Sequence, residues 1–281
     1  MQTLKGRGPT WDFVSAGPFP EKVIRRRLMQ NIRVIGLFII ISLFFTACET
    51  VRPGLKNETK EMGSPMIAVE AGSNAKGSAE SDFLLGKTEV LQKDFMALMG
   101  FNPSKHQGDD LPVHNVTWYD ALAYCNALSE AEGLQPCYTL SNTRYEGTSL
   151  VNADVTVREE ASGYRLPEKK VWAYAAAGGK KTKGFKYSGS DNISDVCWYK
   201  ENSMGSPHKS ASKKANELGL YDMSGNVWEW TATASQNKYK VIYGGCWADG
   251  EDHAQVPGFN AEYPHKASPY VGFRVYRPAT D

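Results

Sequence analysis

The segment Asn216-Glu-Leu-Gly-Leu-Tyr-Asp-Met-Ser-Gly-Asn-Val-Trp-Glu-Trp230 carries the fold of this chain, together with Gly244-Gly-Cys-Trp247 and Gly272-Phe-Arg274 further on. Trp228 and Trp230 join Trp118 and Trp172 as core candidates, because large rings dominate burial. Gly225 and the Gly244-Gly245 pair read as turns or as places where backbone approaches closely.

Working outward, residues 118–132 predict the best helix. Thr117 is its N-cap, Asp120 lies in the first turn and Gly133 ends it. Leu122, Cys125 and Leu128 fall on one face at helical spacing. Residues 167–177 predict a second helix, opened by Pro167 and closed by Gly178-Gly179. A shorter helix, 93–99, follows a strand at 83–88. Short strands are expected at 137–140, 155–158, 241–243 and 272–276, with Gly, Asn and Pro punctuating the rest. Two main helices, short strands and much irregular structure predict an α+β domain.

The amino end has a different character. Lys22, Arg25, Arg26, Arg27 and Arg33 precede an apolar run, Val34 to Phe45, then Thr46, Ala47 and Cys48. A basic flank, a short apolar stretch and small residues make residues 1–48 a signal peptide, with Met29 an alternative start. The run is too short to span a hydrocarbon core of ~30 Å comfortably. Phe45-Thr-Ala-Cys48 resembles a relaxed bacterial lipobox of the kind spirochaete lipoproteins use. Cys48 would be acylated, and several acyl chains would hold the protein to the membrane. Residues 49–81, rich in Gly, Ser, Lys, Glu and Asn, read as a flexible tether, with the folded domain at 82–281.

Over the whole chain, 41% of residues are hydrophobic and the net charge is +1. A core is within reach, and a nucleic-acid binder, which needs a basic stripe, is disfavoured. Of the five cysteines (48, 125, 137, 197 and 246) none forms a C-x-x-C pair, which disfavours structural zinc. Whether any of them pair is open.

Six segments together resemble the formylglycine-generating-enzyme-like (sulfatase-modifying factor) family, in its order. They are Gly86-Lys-Thr-Glu-Val90 with Phe95; Leu111-Pro-Val-His-Asn-Val-Thr-Trp-Tyr-Asp-Ala121; Gly163-Tyr-Arg-Leu-Pro-Glu168 with Trp172 and Ala175-Ala-Ala-Gly-Gly179; and the three segments quoted first. The resemblance spans about residues 82–277 and implies a C-type-lectin-like fold. It implies buried hydrogen bonds from Arg165 and Arg274 to backbone or carboxylate. It also raises calcium held by oxygens of Asn226 and Glu229, as a possible rather than a required cofactor. A scaffold is not an activity.

The family's oxidases carry two copper-binding thiols shortly after the Gly-Gly-Ser-aromatic motif. The matching positions here are Asp249 and Ala254, and Cys246 is displaced from both. Oxidase chemistry needs those thiolates, so the expectation is a protein that is not an enzyme. An enzyme of the formylglycine-generating type with altered chemistry is the rival reading. The five histidines show no H-x-x-x-H spacing. His114 reads as a satisfied structural histidine.

A non-enzymatic branch of this fold, the variable proteins of diversity-generating retroelements, displays a hypervariable surface between the Gly-Gly-x-Trp motif and Gly-Phe-Arg. That region here is 244–274. Adenine randomisation yields a restricted residue set, and Trp247 with Ala248, Asp249, Gly250, Asp252, His253, Gly258, Phe259, Tyr263, His265 and Tyr270 are the candidates for a ligand-binding face. Glu251, Gln255, Glu262 and Lys266 fall outside that set and read as framework. Rigid aromatics beside small adaptable residues resemble a paratope. The expectation is a monomeric lipoprotein at the cell surface or outer membrane. It would bind a protein or glycan, and no nucleic acid.

Overall fold

The computed structural model describes residues 63–279 except Asn237. The signal peptide and Cys48 lie outside the described residues. The fold is α+β, with two sheets that share the end of the chain.

The first sheet joins β1 (Met66–Val69), β4 (Phe83–Gly86) and β11 (Tyr276–Pro278), all antiparallel, with Leu85 opposite both Ile67 and Tyr276. The second runs in the order β10 (Val271–Gly272), β7 (Trp228–Ser235), β8 (Tyr239–Tyr243), β9 (Phe259–Glu262). In it β10 is parallel to β7, and β7, β8 and β9 are antiparallel neighbours. Two hairpins stand apart, β2 (Gly72–Ser73) with β3 (Ser78–Ala79), and β5 (Tyr138–Glu146) with β6 (Ser149–Val157).

The helices are α1 (Gln92–Met99), α2 (Trp118–Ala131), α3 (Lys169–Ala176) and a single turn, α4 (Ile193–Val196). The expected cap of α2 is a full capping box, in which Thr117 Oγ accepts from Asp120 N–H and the Asp120 carboxylate accepts from Thr117 N–H. α3 starts at Lys169, not at Pro167. Pro167 stays outside because its carbonyl accepts from Ala232 N–H of β7, a tertiary bond that helical sequence signals do not report.

Two expectations need correction. Three strands, at Met66–Val69, Gly72–Ser73 and Ser78–Ala79, lie within the expected tether, so folded structure begins ahead of Asp82. Their pairing is by backbone, which composition does not show. Glycine is required there, since a Cβ on Gly77 would lie 2.2 Å from the Lys170 carbonyl of α3. Asn74 then donates to the carbonyls of Tyr174 and Gly179.

The strand expected at 272–276 is in fact two. β10 ends the second sheet, β11 joins the first, and residues 273–275 cross between them. Phe273 and Val275 carbonyls there accept from Val90 and Gly86 N–H. β7 went unread, since its tryptophans were weighed only as core.

At that crossing lies Arg274, fully buried. It donates from Nε to Glu229 Oε2 (2.7 Å) and from Nη2 to Glu229 Oε1 (2.6 Å). It also donates to the Gly86 carbonyl of β4 and the Tyr221 carbonyl. Trp172 Nε1 donates to Glu229 Oε2 at 2.6 Å. Arg274 thus makes the buried hydrogen bonds the family resemblance implied, whereas Arg165 binds the Glu159 and Ala161 carbonyls nearer the surface. Trp118, Trp172, Trp228 and Trp230 are all buried, as expected of core.

Beside Arg274 lie two more buried carboxyls, Glu89 and Asp222. Burial pushes the Glu89 carboxyl well above its usual range and raises Asp222 to about 6, against the pull of Ala211 N–H and Arg274. A raised carboxyl pKa means that the folded state holds a proton the unfolded chain releases. Asp222 therefore favours folding at low pH and loses that contribution as pH rises from about 4 to 6, and Glu89 acts in the same direction. His114, buried and lowered to about 4, works oppositely and favours folding as pH rises over much the same window.

Arg274→Met is expected to cost about 3–5 kcal/mol in urea unfolding, because it leaves Glu229 buried and unpaired. Asp222→Asn keeps an acceptor for Ala211 N–H and removes the titration. Relative to wild type it should gain stability from pH 4 to 6, by at most about 1.4 kcal/mol per pH unit. A pH-independent difference would contradict this.

Candidate ligand-binding face

The candidate face begins where β8 ends. The Trp247 N–H donates to the Asn226 carbonyl and its own carbonyl accepts from Ser203 Oγ, so the backbone is tied to two loops. The half-buried Trp247 ring lies against His106 (5.5 Å between centroids) and Tyr270 (5.1 Å). Trp247 Nε1 is buried without a hydrogen-bond partner.

β9 then forms the outer strand of the second sheet. Phe259 at one end is 63% exposed and packs partly over Tyr243. Tyr263, just past the other end, is about 13 Å further along at ~3.3 Å per residue. Its hydroxyl meets Tyr239 Oη at 2.8 Å and its ring lies 5.4 Å from His265. With Tyr270, these are large aromatics left uncovered at 37–63% exposure on one stretch of chain.

The expected residues therefore separate. Asp252, His253, Phe259, Tyr263, His265 and Tyr270 are exposed, and Gly250 has open space around it. Trp247 lies half-buried where the face meets the core. Ala248 packs against the main core, and Asp249 accepts from Trp228 Nε1 at 2.7 Å. Gly258 is excluded from a variable face, since a Cβ there would lie 2.4 Å from the His253 carbonyl and 2.6 Å from that of Gln255. The residues the sequence reading missed are His106 and Tyr239. Both are brought in by tertiary packing, and His106 comes from a loop far away in sequence, so no local signal marks them.

The reactive positions of the family are filled differently here. Asp249 is engaged with Trp228, and Ala254 is buried among Tyr187, Ile193, Val196 and Cys197. Burial pushes the Cys246 and Cys197 thiols far above their usual range, so both stay protonated, poor nucleophiles and poor ligands. Among the described residues no group of three His, Cys, Asp or Glu is arranged to hold a metal ion.

The two side chains named for calcium are already hydrogen-bonded within the protein. Both Glu229 oxygens are taken by Arg274 and Trp172. Asn226 Oδ1 accepts from His208 N–H, and its Nδ2 donates to Glu89 Oε1 and the His208 carbonyl. Neither side chain has an oxygen to spare, so these two residues do not fit the ion.

The profile of the sulfatase-modifying factor enzyme 1-like domain family matches residues 52–279. The chain belongs to this family. It is 35% identical over 285 residues to the chaperone protein LppX of Paenibacillus barcinonensis, covering 87% of this chain and 98% of LppX. It is 27% identical over 184 residues to the inactive Cα-formylglycine-generating enzyme 2 of Bos taurus, and spans about half that protein's length. Among solved structures, the Treponema denticola variable protein 1 superposes with a TM-score of 0.66 at 30% identity, covering 76% of this chain and 95% of that one. The fold is accordingly C-type-lectin-like.

Gly258→Ala should lower stability by about 1–3 kcal/mol through strain, whereas Gly250→Ala should change it by less than about 0.5 kcal/mol. Denaturant midpoints of the two variants check this. A neutral Gly258→Ala would return that position to the variable face.

Proposed function

We propose that this protein is a lipid-anchored binding protein of the cell envelope, held at Cys48, that takes ligands on the surface from Trp247 to Tyr270 and has no oxidase activity. The observation that carries the reading is the uncovered aromatic set Phe259, Tyr263 and Tyr270, on and beside the edge of the second sheet, in a chain with Asp249 and Ala254 at the family's reactive positions. Rings of this kind give contact area at low entropic cost, and a rigid scaffold keeps them presented.

Two specific forms of binding follow from different observations. Likeness to the Treponema denticola variable protein 1 supports diversification by a retroelement. Such diversification would be confined to the positions that tolerate change, Gly250, Asp252, His253, Phe259, Tyr263, His265 and Tyr270. Its genetic mark would be a near-copy of those codons, differing at adenines, beside a reverse-transcriptase gene. Likeness to a protein named as a chaperone supports instead one fixed protein client in the envelope.

The test is photo-crosslinking in intact cells. A benzoylphenylalanine placed at Phe259 or Tyr270 should give discrete adducts, while one at the exposed but remote Tyr145 should give none. Equal capture at Tyr145, or no adduct from the face, would overturn the reading. Tight copper(I) binding with oxidation of a cysteine peptide by the purified protein would restore the enzyme.

A further inference from the structure

Away from that face, the β5–β6 hairpin stands off β7 and α3 and leaves a cavity of about 390 Å³. Trp118, Tyr138, Leu166 and Ala232 line it, with Val155 and Val157 on the hairpin side. A second hollow of about 450 Å³ adjoins it, sharing Trp118, Val155 and Lys240 and reaching Tyr239 and Pro264. The two make one groove within the size range of small-ligand sites, roughly 300–1,000 Å³.

Lys240 occupies the junction. Its Nζ lies 3.9 Å from the centroid of the Trp118 ring and donates to the Ala232 carbonyl at 3.3 Å. An ammonium has three donors, and one long bond with a ring face leaves this one under-satisfied. Among the described residues no carboxylate forms an ion pair with it. The Glu168 carboxylate acts on it from further away and accepts instead from Thr233 Oγ1 at 2.6 Å. Burial accordingly draws the amine below the usual lysine range.

The rim is already balanced. Glu80 pairs with Lys170 at 2.7 Å and Glu159 with Arg165 at 3.3 Å. Arg165 Nε is buried with no partner. Glu168 also lines the cavity, with its carboxylate held by Thr233 Oγ1, so among the cations that line it Lys240 is the one without an ion pair, beside an aromatic and aliphatic floor. A polyanion would meet the rim carboxylates. An extended peptide would lay amides on the stretch lined by Trp118, Leu166, Val155 and Val157, whose side chains offer no free partner, at a cost for each unpaired group. One carboxylate on an apolar body meets both conditions.

We propose that this groove binds a small amphiphilic monocarboxylate, with its head on Lys240 and its apolar body over Trp118, Tyr138 and Leu166. The second hollow reaches Tyr239 and Pro264 at the edge of the Trp247–Tyr270 face, but Lys240, Trp118, Tyr138 and Leu166 lie outside that face, so the proposal stands or falls independently of the function proposed there.

Calorimetric titration of the full chain with decanoate, against decan-1-ol of equal length, tests it. Decanoate should bind at least about 10-fold more tightly than the alcohol, the size expected of a charge-assisted contact worth ~1.5 kcal/mol or more. Lys240→Met should remove that preference while its melting temperature stays at or above wild type, and Ala232→Phe should block both ligands by filling the floor. Lys240→Gln serves as a second variant if the first does not fold. No decanoate binding, equal affinity for acid and alcohol, or an unchanged preference in the Lys240 variants would each overturn the proposal. Tighter binding of an apolar tripeptide acid than of decanoate would do so too, in favour of a peptide terminus.

Discussion

The bidentate pair between Arg274 and Glu229 is the contact on which the rest of this structure depends. Glu229 lies on β7 of the second sheet. Arg274 lies where the chain leaves that sheet for the first, and its remaining donors reach Gly86 on β4 and Tyr221 in the loop before Gly225. One guanidinium thus ties both sheets and the glycine-rich loop. A buried pair of this kind is not by itself a source of stability, because desolvation offsets much of the attraction. What it supplies here is geometry, since four hydrogen bonds from a rigid fork are met in only one arrangement of the surrounding chain.

The same pair explains why the family's scaffold outlasts its chemistry. Glu229 is fully occupied as a structural acceptor, and Asn226 is equally spent on His208 and Glu89. The motif that looks most like a site is therefore framework. In this chain Asp249 and Ala254 have become a tryptophan's hydrogen-bond partner and a core residue. Aromatic surface remains outside, along β9 and at Tyr270.

The groove beside β5 and β6 shows a different logic. There the cation has no ion pair among the described residues and lies over the buried Trp118 ring. Where a buried charge is matched within the protein, as at Arg274, it organises the fold. Where it is not, as at Lys240, it is available to a ligand.

Much of this was legible in the sequence. Thr117 and Asp120 announced the start of α2, because a capping box is local. The ordered motifs announced the scaffold, because Gly, Trp and Arg at those spacings serve backbone contacts that cannot be varied. The missing thiols at Asp249 and Ala254 were equally plain. Other features were not legible because their cause is distant. Pro167 was lost to α3 by a bond from Ala232, and strands arose within residues 66–79 by pairing with β4 and packing Gly77 on α3. Gly258 looked variable until the His253 carbonyl was seen against it. Lys240 carries no local signal, because its place over Trp118 is set by tertiary packing. The sequence by itself determined the family, the capped helix and the loss of reactive residues, since these rest on residue identity and short spacings. Only the tertiary structure decided which residues are free to bind, because that depends on which partners the fold has already assigned to each polar group.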